Sequence, residues 1–186
     1  MPKQVIAEVI GTRIVVWNHE EALRLYREGF FGKPVGIPKP KPGQDFNAPL
    51  ILDLMEALYL QEKRRIILID SVSKRLMKRK SLLKLARKNY RGFELAYTVY
   101  RDLREKGLVV TPGIRFGSDF AVYEHGPGMD HAPFIVTVRT EENTMGPFEI
   151  VLAGRLATTV RKQFTIAVPK AKSGRVDYLV FKWFKA

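Results

Sequence analysis

Three side chains in the second half of this 186-residue chain are of types that suit proton transfer and charge stabilisation at a phosphate. Tyr123 and His131 lie in Phe116-Gly-Ser-Asp-Phe-Ala-Val-Tyr123-Glu-His-Gly-Pro-Gly-Met-Asp-His131, and Lys162 closes Arg155-Leu-Ala-Thr-Thr-Val-Arg-Lys162. Cleaving RNA through its own 2′-hydroxyl needs a base for that proton, an acid for the departing 5′-oxygen and a cation for the charge building on phosphorus. Histidine suits the acid role, because a reference pKa of about 6.5 leaves it readily protonated near neutrality, and the adjacent Asp130 favours the cationic form. Tyrosine is a harder base, with a reference value near 10, so a neighbouring cation must assist it. Lys162 can be that cation and can also stabilise the phosphorane. Each residue has an ordinary reading too: a packing tyrosine with a wet hydroxyl, a histidine in a glycine-rich loop, a lysine favoured late in a helix by the macrodipole. His125 competes for the acid role, and His19 reads as a helix-start residue.

The elements that must position these groups are legible in outline. Gln4–Ile10 and Arg13–Trp17 alternate as strands around Gly11-Thr12, the pattern of a hairpin. Asn18 caps a helix that carries Glu20 and Glu21 in its first turn and stops near Gly29. Residues 33–49 are rich in Lys and Pro and predict an irregular, stiff, extended loop from which Lys39 and Lys41 project, either a tolerated surface insertion or a basic finger that touches a phosphate backbone. The apolar positions from Leu50 to Tyr59 predict a helix through about residue 62, followed by a strand at Ile66–Ile69 and a basic helical region opened by Ser73. Phe93–Lys106 reads as an amphipathic helix ended by Gly107. Short strands are expected at 108–111, 118–123 and 134–138, then a helix over 149–162 and strands at 164–168 and 176–183. The whole predicts an α/β (α+β) fold with a boundary between residues 80 and 93.

Composition narrows the chemistry. With no cysteine, disulfides, cysteine-ligated zinc and thiol nucleophiles are excluded. The residues call for no metal or other cofactor. A formal charge of +13 and a pI near 10.0 make nucleic acid the first partner to consider, beside a plainly solvated basic surface or one balanced by an acidic subunit. Neither a secretory h-region nor an apolar run long enough to cross a bilayer is present, which predicts a soluble, cytoplasmic protein.

Several ordered strings also resemble one family. Tyr97-Thr-Val-Tyr-Arg-Asp-Leu-Arg-Glu-Lys-Gly107, Gly113-Ile-Arg-Phe-Gly-Ser-Asp-Phe120, Val122-Tyr123, His131-Ala132, Arg155-Leu-Ala157 and Val160-Arg-Lys162 are similar to the archaeal tRNA-splicing endonucleases, as is Glu56-Ala-Leu-Tyr-Leu60 earlier in the chain. The resemblance implies an N-terminal mixed α/β domain over 1–85. It also implies a nuclease domain over 86–186 with a central mixed sheet flanked by helices. It implies metal-independent excision of introns from precursor tRNA at bulge-helix-bulge junctions, leaving 2′,3′-cyclic phosphate and 5′-hydroxyl ends. Tyr123 then takes the part of general base, His131 of general acid and Lys162 of charge stabiliser. Arg155 and Trp183 would sandwich a flipped bulge base, which a guanidinium and an indole hold without reading its identity. Glu141 and Glu142 fall where the family has an acidic docking loop. The Lys/Pro-rich loop resembles that of catalytic subunits in the heterotetrameric branch, implying a second, structural subunit in an α2β2 assembly, with a homo-oligomer as the alternative. A non-catalytic subunit of the same complex and a basic RNA-binding module are the competing readings.

Overall fold

The computed structural model describes residues 4–38, 40, 43–130, 132–159, 162–170 and 173–181. The chain divides into two compact units, Met1–Phe93 and Glu94–Ala186, and each is built on a five-stranded mixed sheet.

In the first unit, β1 (Val5–Ile10) and β2 (Arg13–Val16) form the expected antiparallel hairpin, with Ile10 opposite Arg13 and Gly11 in the left-handed region at φ 62°. Val5, Ala7 and Val9 are buried, so every second residue of β1 faces the core. Helix α1 (His19–Gly29) begins where the Asn18 side chain accepts the Glu21 N–H at 2.9 Å. It ends at Gly29, yet the residue in the left-handed cap is Phe30, at φ 54°. Gly29 is small for another reason: a Cβ there would come within 2.6 Å of the Phe31 ring.

The segment expected to be wholly irregular contributes a two-residue strand. β3 (Lys33–Pro34) pairs with β4 (Leu50–Leu52), and because β3 lies at the sheet edge the missing proline N–H leaves no ladder bond unmade. The return half of the loop is fastened to α1, since Asp45 pairs with Arg27, Asn47 bonds His19, and buried Phe46 meets Tyr26 edge-on at 5.4 Å.

β4 itself stands where a helix was expected to begin. Asp53 decides the matter: its carboxylate accepts from Met55 and Glu56, while Glu56 reaches back to the Asp53 N–H, a capping box that starts α2 (Leu54–Glu62) only after the strand. Buried Glu56 also accepts the Gly32 N–H at 2.8 Å, tying the helix start to the chain leaving α1.

β5 (Ile66–Asp70) then pairs in parallel with β1, and the sheet order is β3-β4-β2-β1-β5. The second departure follows. Ser73 does not open a helix; Asp70 accepts its N–H and its hydroxyl, Lys74 turns at φ 55°, and Leu76 bridges back to Ile69. Helix α3 starts only at Arg79 and runs to Asn89, with Leu82 and Ala86 buried.

In the second unit, α4 (Phe93–Glu105, its first residue at the boundary) precedes β6 (Val109–Pro112), a 3₁₀ turn (Ile114–Phe116), β7 (Phe120–Tyr123) and β8 (Phe134–Val138). Helix α5 (Pro147–Thr159) crosses over to β9 (Gln163–Pro169), which is followed by β10 (Val176–Phe181). The order is β10-β9-β8-β7-β6, and only β8 and β9 run parallel, so α5 is the long connection that a parallel pair requires. Ile135, Phe164 and Ile166 centre one part of the core, with Phe116 and Ala153 packed against them. Among the described residues no helix is long and apolar enough to cross a membrane.

Candidate active site

The register of β7, β8 and β9 brings two of the three predicted catalytic residues to one end of the sheet. Val122 lies opposite Phe134, and Phe134 lies beside Gln163, forming a row across three strands. One step beyond that row, at the same end, stand Tyr123 at the close of β7, Pro133 ahead of β8, and Lys162 ahead of β9.

Lys162 was expected as the last residue of a helix, but it lies outside any helix, directly ahead of β9, and α5 is described as far as Thr159. Two adjacent carbonyls ahead of β8 hold it there. The Gln163 N–H donates to the Pro133 carbonyl at 2.7 Å, and Lys162 Nζ donates to the Ala132 carbonyl at 2.7 Å. His131 lies outside the described residues; the residue that follows it in the chain, Ala132, is the one whose carbonyl the lysine holds. Lys162 Nζ also lies 5.0 Å from the centroid of the Phe116 ring. Burial lowers the basicity of this amine, and the negative charge of Asp130 partly restores it.

Phe116 owes its place to the string that begins at Gly113. A Cβ on Gly113 would come within 2.7 Å of the Phe120 backbone, so only glycine allows the 3₁₀ turn to fold back onto β7. Gly117 then leaves the turn in the left-handed region at φ 64°. Asp119 fastens the next strand through the Val138 N–H at 2.8 Å.

Asp130 organises the loop between Tyr123 and His131. Its carboxylate accepts three backbone N–H groups, from Glu124 at 2.9 Å, His125 at 3.2 Å and Gly126 at 2.7 Å. Burial would raise its pKa, but those three donors and nearby His125 outweigh the burial, and the carboxyl ends below its usual range. Sequence reading gave Asp130 only the task of favouring a charged His131. Its bonds show a loop anchor, which also sets the charge opposite Lys162. His125 itself is exposed. Among the described residues no three His, Cys, Asp or Glu side chains converge as metal ligands would.

The model of the tRNA intron endonuclease catalytic C-terminal domain matches residues 93–178, and that of the N-terminal domain matches residues 5–83. A tRNA-splicing endonuclease of Hyperthermus butylicus is 45% identical over 179 residues, covering 96% of this chain and 98% of that one. Those of Sulfolobus acidocaldarius and Saccharolobus solfataricus are each 39% identical, across 96% of this chain and 97% and 98% of theirs. The chain belongs to the tRNA intron endonuclease family.

Among the described residues, no hydrogen bond or ion pair joins the other residues singled out in this endonuclease-family chain to Tyr123 or Lys162. Arg155 is exposed on α5, where its carbonyl accepts the Thr159 hydroxyl at 2.9 Å. Trp183, its expected stacking companion, and the loop lysines Lys39 and Lys41 lie outside the described residues. Glu141 pairs within the chain with Lys170 at 2.7 Å, and that contact raises the lysine's pKa. Glu142 is exposed. Three supporting residues escaped the sequence reading in these roles: Asp130, Phe116 and Gly113. Gly113 had a usable signal, a glycine directly after a strand and four residues before a second glycine.

Proposed function

We propose that this chain is the catalytic subunit of a tRNA-splicing endonuclease that cuts precursor tRNA at bulge-helix-bulge junctions without a metal. One observation carries the reading: Lys162 bonds the carbonyl of the residue after His131 at the end of the β7-β8-β9 row where β7 closes on Tyr123, within the stretch matched by the family's catalytic domain. Tyr123 takes the proton of the 2′-hydroxyl, and the freed 2′-oxygen attacks phosphorus. The P–O5′ bond breaks, His131 delivers a proton to the leaving 5′-oxygen, and a 2′,3′-cyclic phosphate remains. Lys162, its amine already aimed along the end of the row by the Ala132 carbonyl, neutralises the charge that peaks on the phosphorane. Arg155, with Trp183, holds an unpaired bulge base by stacking, and Lys39 and Lys41 add phosphate contacts.

The working assembly contains two copies of this chain and two of a structural subunit, with the Glu141–Glu142 loop as a docking element. Exposed Phe148, Val151 and Leu152 on one side of α5, and Leu179 and Val180 on edge strand β10, support an assembly that covers apolar surface. Mass measurement of the co-purified complex tests that composition.

The chemistry is tested by incubating the assembled enzyme with bulge-helix-bulge RNA in chelator and identifying the ends. Cyclic-phosphate and 5′-hydroxyl ends are expected. His131→Ala should slow cleavage by about 10²–10⁴-fold and Lys162→Ala by about 10²–10³-fold, both with RNA affinity retained. A requirement for a divalent ion, or undiminished cleavage by His131→Ala, overturns the mechanism.

A further inference from the structure

The first unit holds nineteen Lys and Arg against nine Asp and Glu, and the second thirteen against ten. The larger share of the excess positive charge is therefore on the unit that does not contain Tyr123, His131 or Lys162. Most of it is concentrated in one segment. Between Asp70 and Glu94 there are nine Lys and Arg and no carboxylate.

Part of this charge has local partners. Arg79 pairs with Glu62 at 2.7 Å and Lys74 with Glu8 at 3.1 Å. Lys80, Lys84 and Lys88 have no ion pair among the described residues and are exposed. Their spacing of four places all three on one side of α3, opposite buried Leu82 and Ala86. At 1.5 Å of rise per residue, neighbouring lysines stand about 6 Å apart in a stripe about 12 Å long.

This arrangement works against the helix that bears it. α1 carries Glu20 and Glu21 in its first turn, where the macrodipole favours acids, whereas α3 has no acid there and opens with Arg79 and Lys80. Lys78, its cap residue, makes no side-chain cap bond. The pairs Lys80–Lys84 and Lys84–Lys88 are like charges at helical contact distance, which repel. A local rule broken several times on one exposed face points to a role outside the helix. A polyanion laid along the stripe relieves the repulsion among its three lysines and places negative charge near the start of the helix.

We infer that the Lys80–Lys84–Lys88 face of α3 is a second RNA-contacting surface, which grips the phosphate backbone of the double-helical body of the precursor tRNA away from the cleaved junctions. The inference rests on the proposed function for the identity of the RNA. Three point charges in a row carry no base-reading geometry, so the surface recognises backbone charge and helix shape without sequence preference. It raises affinity for whole precursor over isolated junctions.

The test compares two RNAs, a full-length intron-containing precursor tRNA and a minimal bulge-helix-bulge hairpin without the tRNA body. Each is bound by wild-type assembled enzyme, by the K80Q/K84Q/K88Q variant and by K80R/K84R/K88R, over a range of salt concentrations. Loss of three phosphate contacts should weaken precursor binding at least about ten-fold at low salt and flatten the log-affinity against log-salt slope by about two to three. Hairpin binding and hairpin cleavage should stay at wild-type values, and the arginine variant should match wild type on both RNAs. Unchanged precursor affinity and slope in the glutamine variant overturn the inference. So does an equal loss on both RNAs, which would make the face part of the junction site. Retained precursor affinity with loss of a partner subunit would assign the face to a protein instead. If wild-type enzyme binds both RNAs but leaves no cyclic-phosphate ends, the proposed reaction fails while the comparison of affinities still decides the surface.

Discussion

Replacing Asp130 with asparagine keeps the shape of the side chain and removes its charge. One carboxylate oxygen accepts the Glu124 and His125 N–H groups and the other accepts that of Gly126. The asparagine carbonyl can serve one of these sets, and its NH₂ must then face an N–H donor on the other. One or two charge-assisted bonds are lost, each worth about 1.5–3 kcal/mol when well shielded. Partial exposure of the carboxylate reduces this, and an overall destabilisation of about 1–3 kcal/mol is expected in urea unfolding at pH 7. The pH dependence has a definite sign. Because the folded carboxyl titrates below its unfolded value of about 3.9, its contribution is complete above that value and is lost as pH falls through the folded pKa. The stability gap between wild type and Asp130→Asn should therefore be constant from pH 8 to about pH 5 and close below about pH 4. A second readout is catalytic. Asp130 raises the basicity of Lys162 against the lowering effect of burial, so its neutralisation should move the alkaline limb of the cleavage profile to lower pH. Equal stability at pH 7, a gap that persists in acid, or an unmoved alkaline limb would each refute this account of the loop.

Three further perturbations address the parts that hold the site and the sheet. Gly113→Ala forces a methyl onto the Phe120 backbone and should slow cleavage through displacement of Phe116 and Lys162, with RNA affinity retained; wild-type kcat would show that Phe116 does not support the lysine. Glu56→Gln weakens two backbone contacts of a buried carboxylate and should cost about 1–3 kcal/mol in denaturant unfolding without altering kcat per folded enzyme. Tyr178 donates to Asp102 at 2.5 Å, and burial followed by that carboxylate pushes its phenol far above the usual value. Tyr178→Phe should cost about 1 kcal/mol at neutral pH. Because a raised folded pKa contributes stability that is lost in alkali, the gap should narrow above about pH 10, and a gap independent of pH would contradict the assigned bond.

Local chemistry accounts for what could be read before the structure was known. The hairpin of β1 and β2 follows from alternation around Gly11, and α1 from Asn18 with the acids behind it. Residues 50–52 were misread because three apolar residues cannot display a period, and they run without a break into the apolar residues of α2. The capping box from Asp53 to Glu56 was the available signal. Residues 73–78 were absorbed into a basic helix because charge pattern says nothing about where a turn closes; Asp70, three residues before Ser73, carried that information. In the site, residue types revealed Tyr123, His131 and Lys162 as candidates. Their geometry needed the parallel pairing of β8 with β9, and no local period encodes a contact across the α5 crossover. For the same reason Lys162 could be named as a cation but not placed: its position depends on Ala132 and Pro133, some thirty residues earlier.

The three-strand row also sets an order of events. Val122 and Phe134 are joined by a short connection, but Phe134 and Gln163 meet only after the longer segment through α5 has closed. During synthesis the first unit, with its basic helix, is complete in sequence well before Lys162 has been added. A chain that ends before β9 can therefore carry the basic face of α3 without the strand that brings Lys162 beside Pro133. The sheet end where Tyr123 and Lys162 stand is thus completed by a long-range pairing, when β9 joins β8 across α5.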